Sequence, residues 1–151
     1  MMEYLVREIH ITDYQDICLL NRDFNSDLSY FSEEKVKEKI EIITRETKDK
    51  IFVFELHGEI VGYIHGSRYE LLFADPLINV LGFVVKEGYR NQGIGSKLMD
   101  YLEYWARDEG YSGIKLLSHP SREQAHRLYQ KRGYQFTKDQ KNFIKFLDSI
   151  E

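Results

Sequence analysis

Polar and apolar residues alternate over Glu3–Ile9 ("EYLVREI"), the period of a half-buried strand. Thr12 then reads as the N-cap of a helix running to about Phe24, with Ile17 and Leu19 or Leu20 at helical spacing. A polar link, "NSDLSYF", leads to Ser32, a second N-cap. After it, "EEKVKEKIEIITRET" places Val36, Ile40 and Ile43 on one face of a charged helix. "IFVFEL" (Ile51–Leu56), the turn "HG" and "EIVGYIHGSRYEL" predict a hairpin. Gly62 and Gly66 in its second arm predict bulges or close backbone contacts. "LFADPL" is expected to be a loop in which Pro76 ends any regular element.

"INVLGFVV" (Ile78–Val85) is almost continuously apolar, as befits a central strand covered on both faces. Ile94, Leu98, Leu102, Trp105 and Ala106 form the inner stripe of a helix ending near Gly110, and "GIKLLS" (Gly113–Ser118) predicts another central strand. Ser121 with Gln124 reads as a capping box for a helix through Arg132, stopped by Gly133. "YQFTK" and "NFIKFL" close the series as two strands around the polar turn "DQKN". The order β-α-α-β-β-β-α-β-α-β-β predicts a mixed sheet with helices on its faces, in the α/β or α+β class.

Composition narrows the setting. A length of 151 residues fits a single domain over 1–151, and 42% hydrophobic with 30% charged residues is ordinary for a globular chain. The net charge of −4 argues against non-specific nucleic-acid binding. "MMEYLVREIH" lacks the pattern of a secretory signal, and no apolar run approaches a membrane span. One cysteine, Cys18 in "DICLL", cannot form an internal disulfide and reads as a small buried hydrophobe. No Cys/His cluster has metal-ligand spacing. The expectation is a cytoplasmic protein that uses no metal and has neither nucleic-acid nor membrane partners.

The candidate chemistry lies in "GYRNQGIG" (Gly88–Gly95), between the central strand and the helix that follows it. A strand-to-helix loop collects unpaired backbone N–H groups at the positive end of a helix dipole, which makes it an anion site. Three phosphate-binding patterns compete. A P-loop requires Lys and Ser or Thr after Gly93, where Ile94 and Gly95 stand. A dinucleotide fingerprint requires a third glycine where Leu98 stands. The pattern [QR]-x-x-G-x-[GA] fits, through Arg90, Gly93 and Gly95. It resembles the pyrophosphate-binding motif of the GNAT family, the acetyl-coenzyme A-dependent N-acetyltransferases. "SREQAHRLYQKRGY" resembles that family's second motif, A-x-x-x-Y-x-x-x-G-[FY], through Ala125, Tyr129, Gly133 and Tyr134. The two motifs stand in family order, one helix and one strand apart.

This resemblance implies a GNAT-like central sheet, mixed and mostly antiparallel, and acetyl-CoA as cosubstrate. It implies that backbone amides around Gln92, Gly93, Ile94, Gly95 and Ser96, with Arg90 beside them, hold the pyrophosphate. It implies that Phe83, Val84 and Val85 line the pantetheine arm, with an N–H near Val84 polarising the thioester carbonyl. Tyr129 is implied as the general acid to the departing thiolate. Arg122 stands where the family often has an Asn that contacts cofactor, so it is a further cofactor candidate.

The family's usual strand carboxylate is missing, because Val80-Leu81-Gly82-Phe83 occupies its place. The general base is therefore unassigned. His119, just past "IKLLS", is one candidate; His126, Asp75, Asp27 and Glu70 are others, and each also reads as a solvated polar residue. Asp13, Asp16, Asp23, Asp27, Glu33 and Glu34 with Phe24, Tyr30 and Phe31 suggest an acidic, aromatic rim for a cationic amine acceptor. The readings that follow are an N-acetyltransferase acting on a small-molecule or peptide amine, and an acyl-CoA-binding module of the same fold with weak or no turnover. An exposed last strand, "NFIKFL", would allow pairing into a homodimer.

Overall fold

The structure is a computed structural model that describes residues 3–148. Its elements are β1 (Tyr4–Glu8), a 3-10 turn (Ile11–Asp13), α1 (Tyr14–Phe24), a second 3-10 turn (Ser26–Tyr30), α2 (Glu33–Glu46), β2 (Lys50–Leu56), β3 (Glu59–Leu71), β4 (Ala74–Val85), α3 (Ile94–Asp108), β5 (Ile114–Lys115) and α4 (Glu123–Lys131). They divide into two compact units, Met1–Leu117 and Ser118–Glu151.

The first unit is built on a five-stranded sheet in the order β1-β2-β3-β4-β5. Its pairs are antiparallel except β4 with β5, which is parallel, so the sheet is mixed and mostly antiparallel as expected. His57 (φ 52°) and Gly58 (φ 78°) close the β2–β3 hairpin with two left-handed residues, the geometry that matches strand twist in a two-residue turn. Ile17, Cys18 and Leu20 of α1 and Val36 and Ile40 of α2 pack with Val53, Ile60 and Val84 of the sheet. Ser32 caps α2 as its sequence predicts, its hydroxyl accepting from Lys35 N at 3.3 Å.

A bulge at Val61, where Phe54 pairs with Gly62 and Glu55 with Ile60, shifts the alternation so that Gly62 and Gly66 lie on the opposite face from Ile60, under α3. A Cβ on Gly66 would lie 2.6 Å from Leu102 Cδ1 and 2.8 Å from Ile78 Cγ2, and both of those residues are fully buried. Gly66→Ala is therefore expected to cost about 2 kcal/mol by overpacking. A urea unfolding midpoint that did not move would show that α3 can shift to make room.

Several local expectations change. Thr12 does not cap α1. Asp13 holds the N-cap position without a side-chain bond to the helix; its Oδ2 accepts from His10 N at 2.8 Å, and its two oxygens accept from the Arg7 guanidinium at 2.9 Å each. Burial alone would raise the Asp13 pKa, but the Arg7 and His10 hydrogen bonds outweigh it and hold the carboxyl below the usual value. Pro76 does not end a strand; it lies within β4, at the register shift facing Tyr69 and Leu71, where its missing N–H interrupts no regular ladder. The strand expected over Gly113–Ser118 contracts to Ile114–Lys115, because β4 pairs with it only at Ile78 and Asn79.

In the second unit, Ser121 does not cap α4. Its Oγ lies 2.7 Å from His119 Nδ1, and the residue at the N-cap is Arg122. Gly133 (φ 91°) ends the helix as expected. Gly133 N donates to Gln130 O at 3.0 Å and Tyr134 N to Tyr129 O at 2.9 Å, the paired bonds of a Schellman motif. The two final strands are not formed. Residues 135–148 contain no regular element.

Candidate active site

β4 carries the loop to the N-terminus of α3. Its ladder to β5 ends at Asn79, so from Val80 onward β3 is its sole strand neighbour among the described residues. Lys86 N donates to Val61 O at 2.8 Å, which fixes the parity of the last turn of pleat. The Val84 N–H must then face β3, while those of Phe83 and Val85 face the other edge. The amide near Val84 available to that edge is that of Val85. Val85 O accepts from Arg90 Nε at 3.0 Å, which anchors the guanidinium at the strand end.

The loop turns through Gly88 (φ 89°), Asn91 (φ 64°) and Gly93 (φ 81°). Gln92 Nε2 donates to Gly88 O at 3.3 Å, and Glu87 N donates to Asp23 Oδ2 at 2.8 Å, tying the loop to α1. Gly93 is the N-cap of α3 and supplies no side-chain acceptor, so the first-turn N–H groups of Ile94, Gly95 and Ser96 meet no cap. Fifteen residues of helix stand behind that end. A cation also sits there that the sequence reading missed: a Cβ on Gly93 would lie 3.7 Å from Lys97 Nζ. The same ammonium lies 5.5 Å from the centre of the Tyr4 ring. Its position four residues past the N-cap, on the same helix face, was the available signal. Donors, dipole and two cations make a site for a polyanion, and these groups fit a pyrophosphate.

The sequence matches the acetyltransferase (GNAT) family over residues 8–134. The chain belongs to the GNAT family. It is 30% identical to the N-alpha-acetyltransferase of Sulfurisphaera tokodaii, an alignment covering 90% of this chain and 83% of that protein. An acetyltransferase of Trypanosoma brucei shares the fold with a TM-score of 0.81 at 19% identity, covering 95% of this chain and all of the other. An aminoglycoside N-acetyltransferase solved in complex with CoA does so with a TM-score of 0.82 at 15% identity, over 96% of each chain. This GNAT protein is an acetyl-CoA-dependent acyltransferase.

In the GNAT protein's second unit, Tyr129 is 8% exposed. Burial pushes its phenol pKa above the ordinary value and Arg122 only partly opposes this, so the hydroxyl keeps its proton at neutral pH. The Tyr129 and Tyr134 rings lie 6.2 Å apart. The family's second motif thus has a physical reading. Gly133 supplies the left-handed residue, Tyr134 packs back on Tyr129, and the closing bonds fix the last turn that carries the phenol.

Two of the base candidates contact nearby serines. His119 is exposed and its Nδ1 accepts from Ser121 N at 3.1 Å, leaving Nε2 as its other nitrogen. His126 Nε2 lies 3.1 Å from Ser118 Oγ. In Val80-Leu81-Gly82-Phe83, the stretch that lacks the family's usual carboxylate, Leu81 is 57% exposed. Half of the acidic rim is structural: Asp13 pairs with Arg7, Asp16 Oδ2 accepts from Ile60 N at 3.1 Å, and Asp23 accepts from Glu87 N. A dyad not foreseen from sequence joins His65 Nε2 to Asp49 Oδ2 at 2.8 Å, both side chains mostly buried, with His65 opposite Gly82 in the β3–β4 ladder.

On that same sheet face Tyr63 donates to Asn21 Oδ1 at 2.6 Å, and burial pushes its pKa from 10.0 up to about 12. The unfolded chain releases this proton near pH 10 while the folded chain keeps it. Stability, complete below that value, is expected to fall as pH rises toward 12. Urea unfolding at pH 9 and 11 reads the slope, which Tyr63→Phe should make shallower.

Among the described residues no group of three metal-ligating side chains occurs, and no helix is long and apolar enough to cross a membrane.

Proposed function

We propose that the chain acetylates a primary amine of a small molecule or peptide, by direct attack on acetyl-CoA in a ternary complex. The observation that carries this reading is the uncapped N-terminus of α3, flanked by Arg90 and Lys97, directly after a strand whose β5 ladder stops at Asn79. Amides of Gln92, Gly93, Ile94, Gly95 and Ser96 hold the pyrophosphate, and Arg122 adds a further cation. Phe83, Val84 and Val85 line the pantetheine arm, with the Val85 N–H directed at the thioester oxygen. Acetyl-CoA supplies the acetyl group as a thioester. Tyr129 gives its proton to the sulfur as the C–S bond breaks and the C–N bond forms, and the proton lost by the amine leaves through a base. His119, through Nε2, is the base candidate carried from the sequence.

The amine class is supported by the names of the relatives, an N-alpha-acetyltransferase and an aminoglycoside N-acetyltransferase. The absence of a carboxylate from Val80-Leu81-Gly82-Phe83 favours the second reading, an acyl-CoA-binding module with weak or no turnover. Release of free thiol from acetyl-CoA over a panel of peptide N-termini, polyamines and aminoglycosides separates the two. Turnover with at least one amine is expected; tight CoA binding without turnover on any of them selects the module.

A further inference from the structure

The His65–Asp49 dyad lies in the sheet-bearing unit and takes no part in the anion chemistry of the loop or in proton donation by Tyr129. Its side chains are 14% and 13% exposed, with His65 Nε2 2.8 Å from Asp49 Oδ2. The Asp49 end is fixed by the close of α2, where Thr47 Oγ1 donates to Ile43 O at 2.7 Å and accepts from Asp49 N at 3.1 Å. A pair at this depth is a weak source of stability, because desolvation offsets its attraction. A carboxylate only accepts, so in the neutral ring Nε2 carries the proton and Nδ1 keeps a lone pair. This is the tautomer of a base whose orientation is set by a third group.

The ladder places His65 beside β4, three residues before the Val85 N–H. His65 pairs with Gly82 and Gly66 with Val80, so Leu81 is an extra residue, a bulge in β4. A Cβ on Gly82 would lie 3.8 Å from His65 Cβ, so a side chain at that position would share the face that His65 occupies. Val80-Leu81-Gly82-Phe83 offers no carboxylate, and Gly82 no side chain at all. The imidazole on the neighbouring strand supplies the proton acceptor that this stretch lacks. Three residues of strand span roughly 10 Å, a distance that the reacting amine and one water fill.

We propose that His65, oriented by Asp49, is the general base of amine acetylation, working through one water. The assignment rests on the function proposed above, with the thioester oxygen at the Val85 N–H. As the amine nitrogen bonds to the thioester carbon, it loses a proton to the water, and the water passes one to His65 Nδ1. The C–S electron pair leaves with sulfur, which takes its proton from Tyr129. The Asp49 carboxylate stabilises the imidazolium across Nε2–H. His65 then returns its proton to solvent, and Tyr129 is reprotonated from it.

Steady-state kinetics on the fastest amine among peptide N-termini, polyamines and aminoglycosides test this. His65→Gln, which fills similar space but takes up no proton, is expected to lower kcat about 100-fold. The Michaelis constant for acetyl-CoA and the calorimetric affinity for CoA should stay within about twofold. Asp49→Asn, whose amide can donate to Nε2 and so move the ring proton to Nδ1, should lower kcat at least about tenfold with both constants unchanged. Imidazole added to His65→Ala should restore part of the lost rate, which a structural role would not allow. A His65→Gln kcat within about threefold of wild type overturns the assignment and leaves the acetyltransferase reading standing. So does a loss seen only in His119→Ala, or one that imidazole fails to restore. A wild-type chain that turns over no amine overturns the assignment together with the reading it rests on.

Discussion

Tyr129→Phe is expected to lower kcat for amine acetylation by about 100-fold or more, the usual scale for removing a positioned proton donor. The Michaelis constant for acetyl-CoA should stay within about twofold, since the phenyl ring retains the packing of the original. Stability should change little, because the Schellman bonds at Gly133 and Tyr134 are main-chain bonds and the ring contact with Tyr134 persists. The separation of kcat from both other readouts is what distinguishes a proton donor from a packing aromatic. A packing role alone would leave kcat unchanged. The raised pKa sets the pH behaviour: the donor form persists through and above the ordinary phenol value, so this group imposes no loss of activity between pH 7 and about 10. A rate that fell at pH 8 in wild type and was flat in Tyr129→Phe would remove the assignment.

The parts of this site that were legible in the sequence are those specified by local backbone chemistry. The β2–β3 hairpin was readable because His57-Gly58 supplies two adjacent residues tolerant of positive φ between strand-forming runs. The end of α4 was readable because glycine at the left-handed position dictates the closing bonds, whatever the helix packs against. The loop before α3 was readable for the same reason, through Gly88 and Gly93. The missed features depend on a partner outside the element being read. Strand-like composition in "YQFTK" and "NFIKFL" states what the residues can do and names no ladder to join. Ser121 was free in sequence to cap α4, but His119 offered its hydroxyl a closer partner at 2.7 Å. Asp13, Asp16 and Asp23 read as an exposed acidic surface until Arg7, Ile60 N and Glu87 N took up their oxygens. The Val84 amide illustrates the finest level. Which of two successive N–H groups faces the open edge is a matter of pleat parity, and only the Lys86–Val61 bond decides it.

Gly93→Asp should raise the dissociation constant for CoA about 100-fold while leaving the fold stable to within about 1 kcal/mol. The sign follows from the α3 N-terminus. Its unfilled N–H groups, with Arg90 and Lys97 alongside, attract a polyanion, and a carboxylate fixed at the N-cap would compete for the same donors and repel the phosphates. The left-handed backbone at Gly93 (φ 81°) costs aspartate less than most residues. Interaction of the new charge with the helix dipole and with Lys97 offsets part of that strain, so the fold is expected to survive. Calorimetric titration with CoA measures the loss, and dephospho-CoA, which lacks the ribose phosphate but keeps the pyrophosphate, should lose by a similar factor. Gly93→Asn carries nearly the same shape without the charge and should weaken binding by less than about tenfold. Equal losses in Asp and Asn would assign the effect to steric filling of the loop. If CoA bound the Asp variant as tightly as wild type, the pyrophosphate would not sit at this helix end, and the reading of "GYRNQGIG" as its cradle would fall.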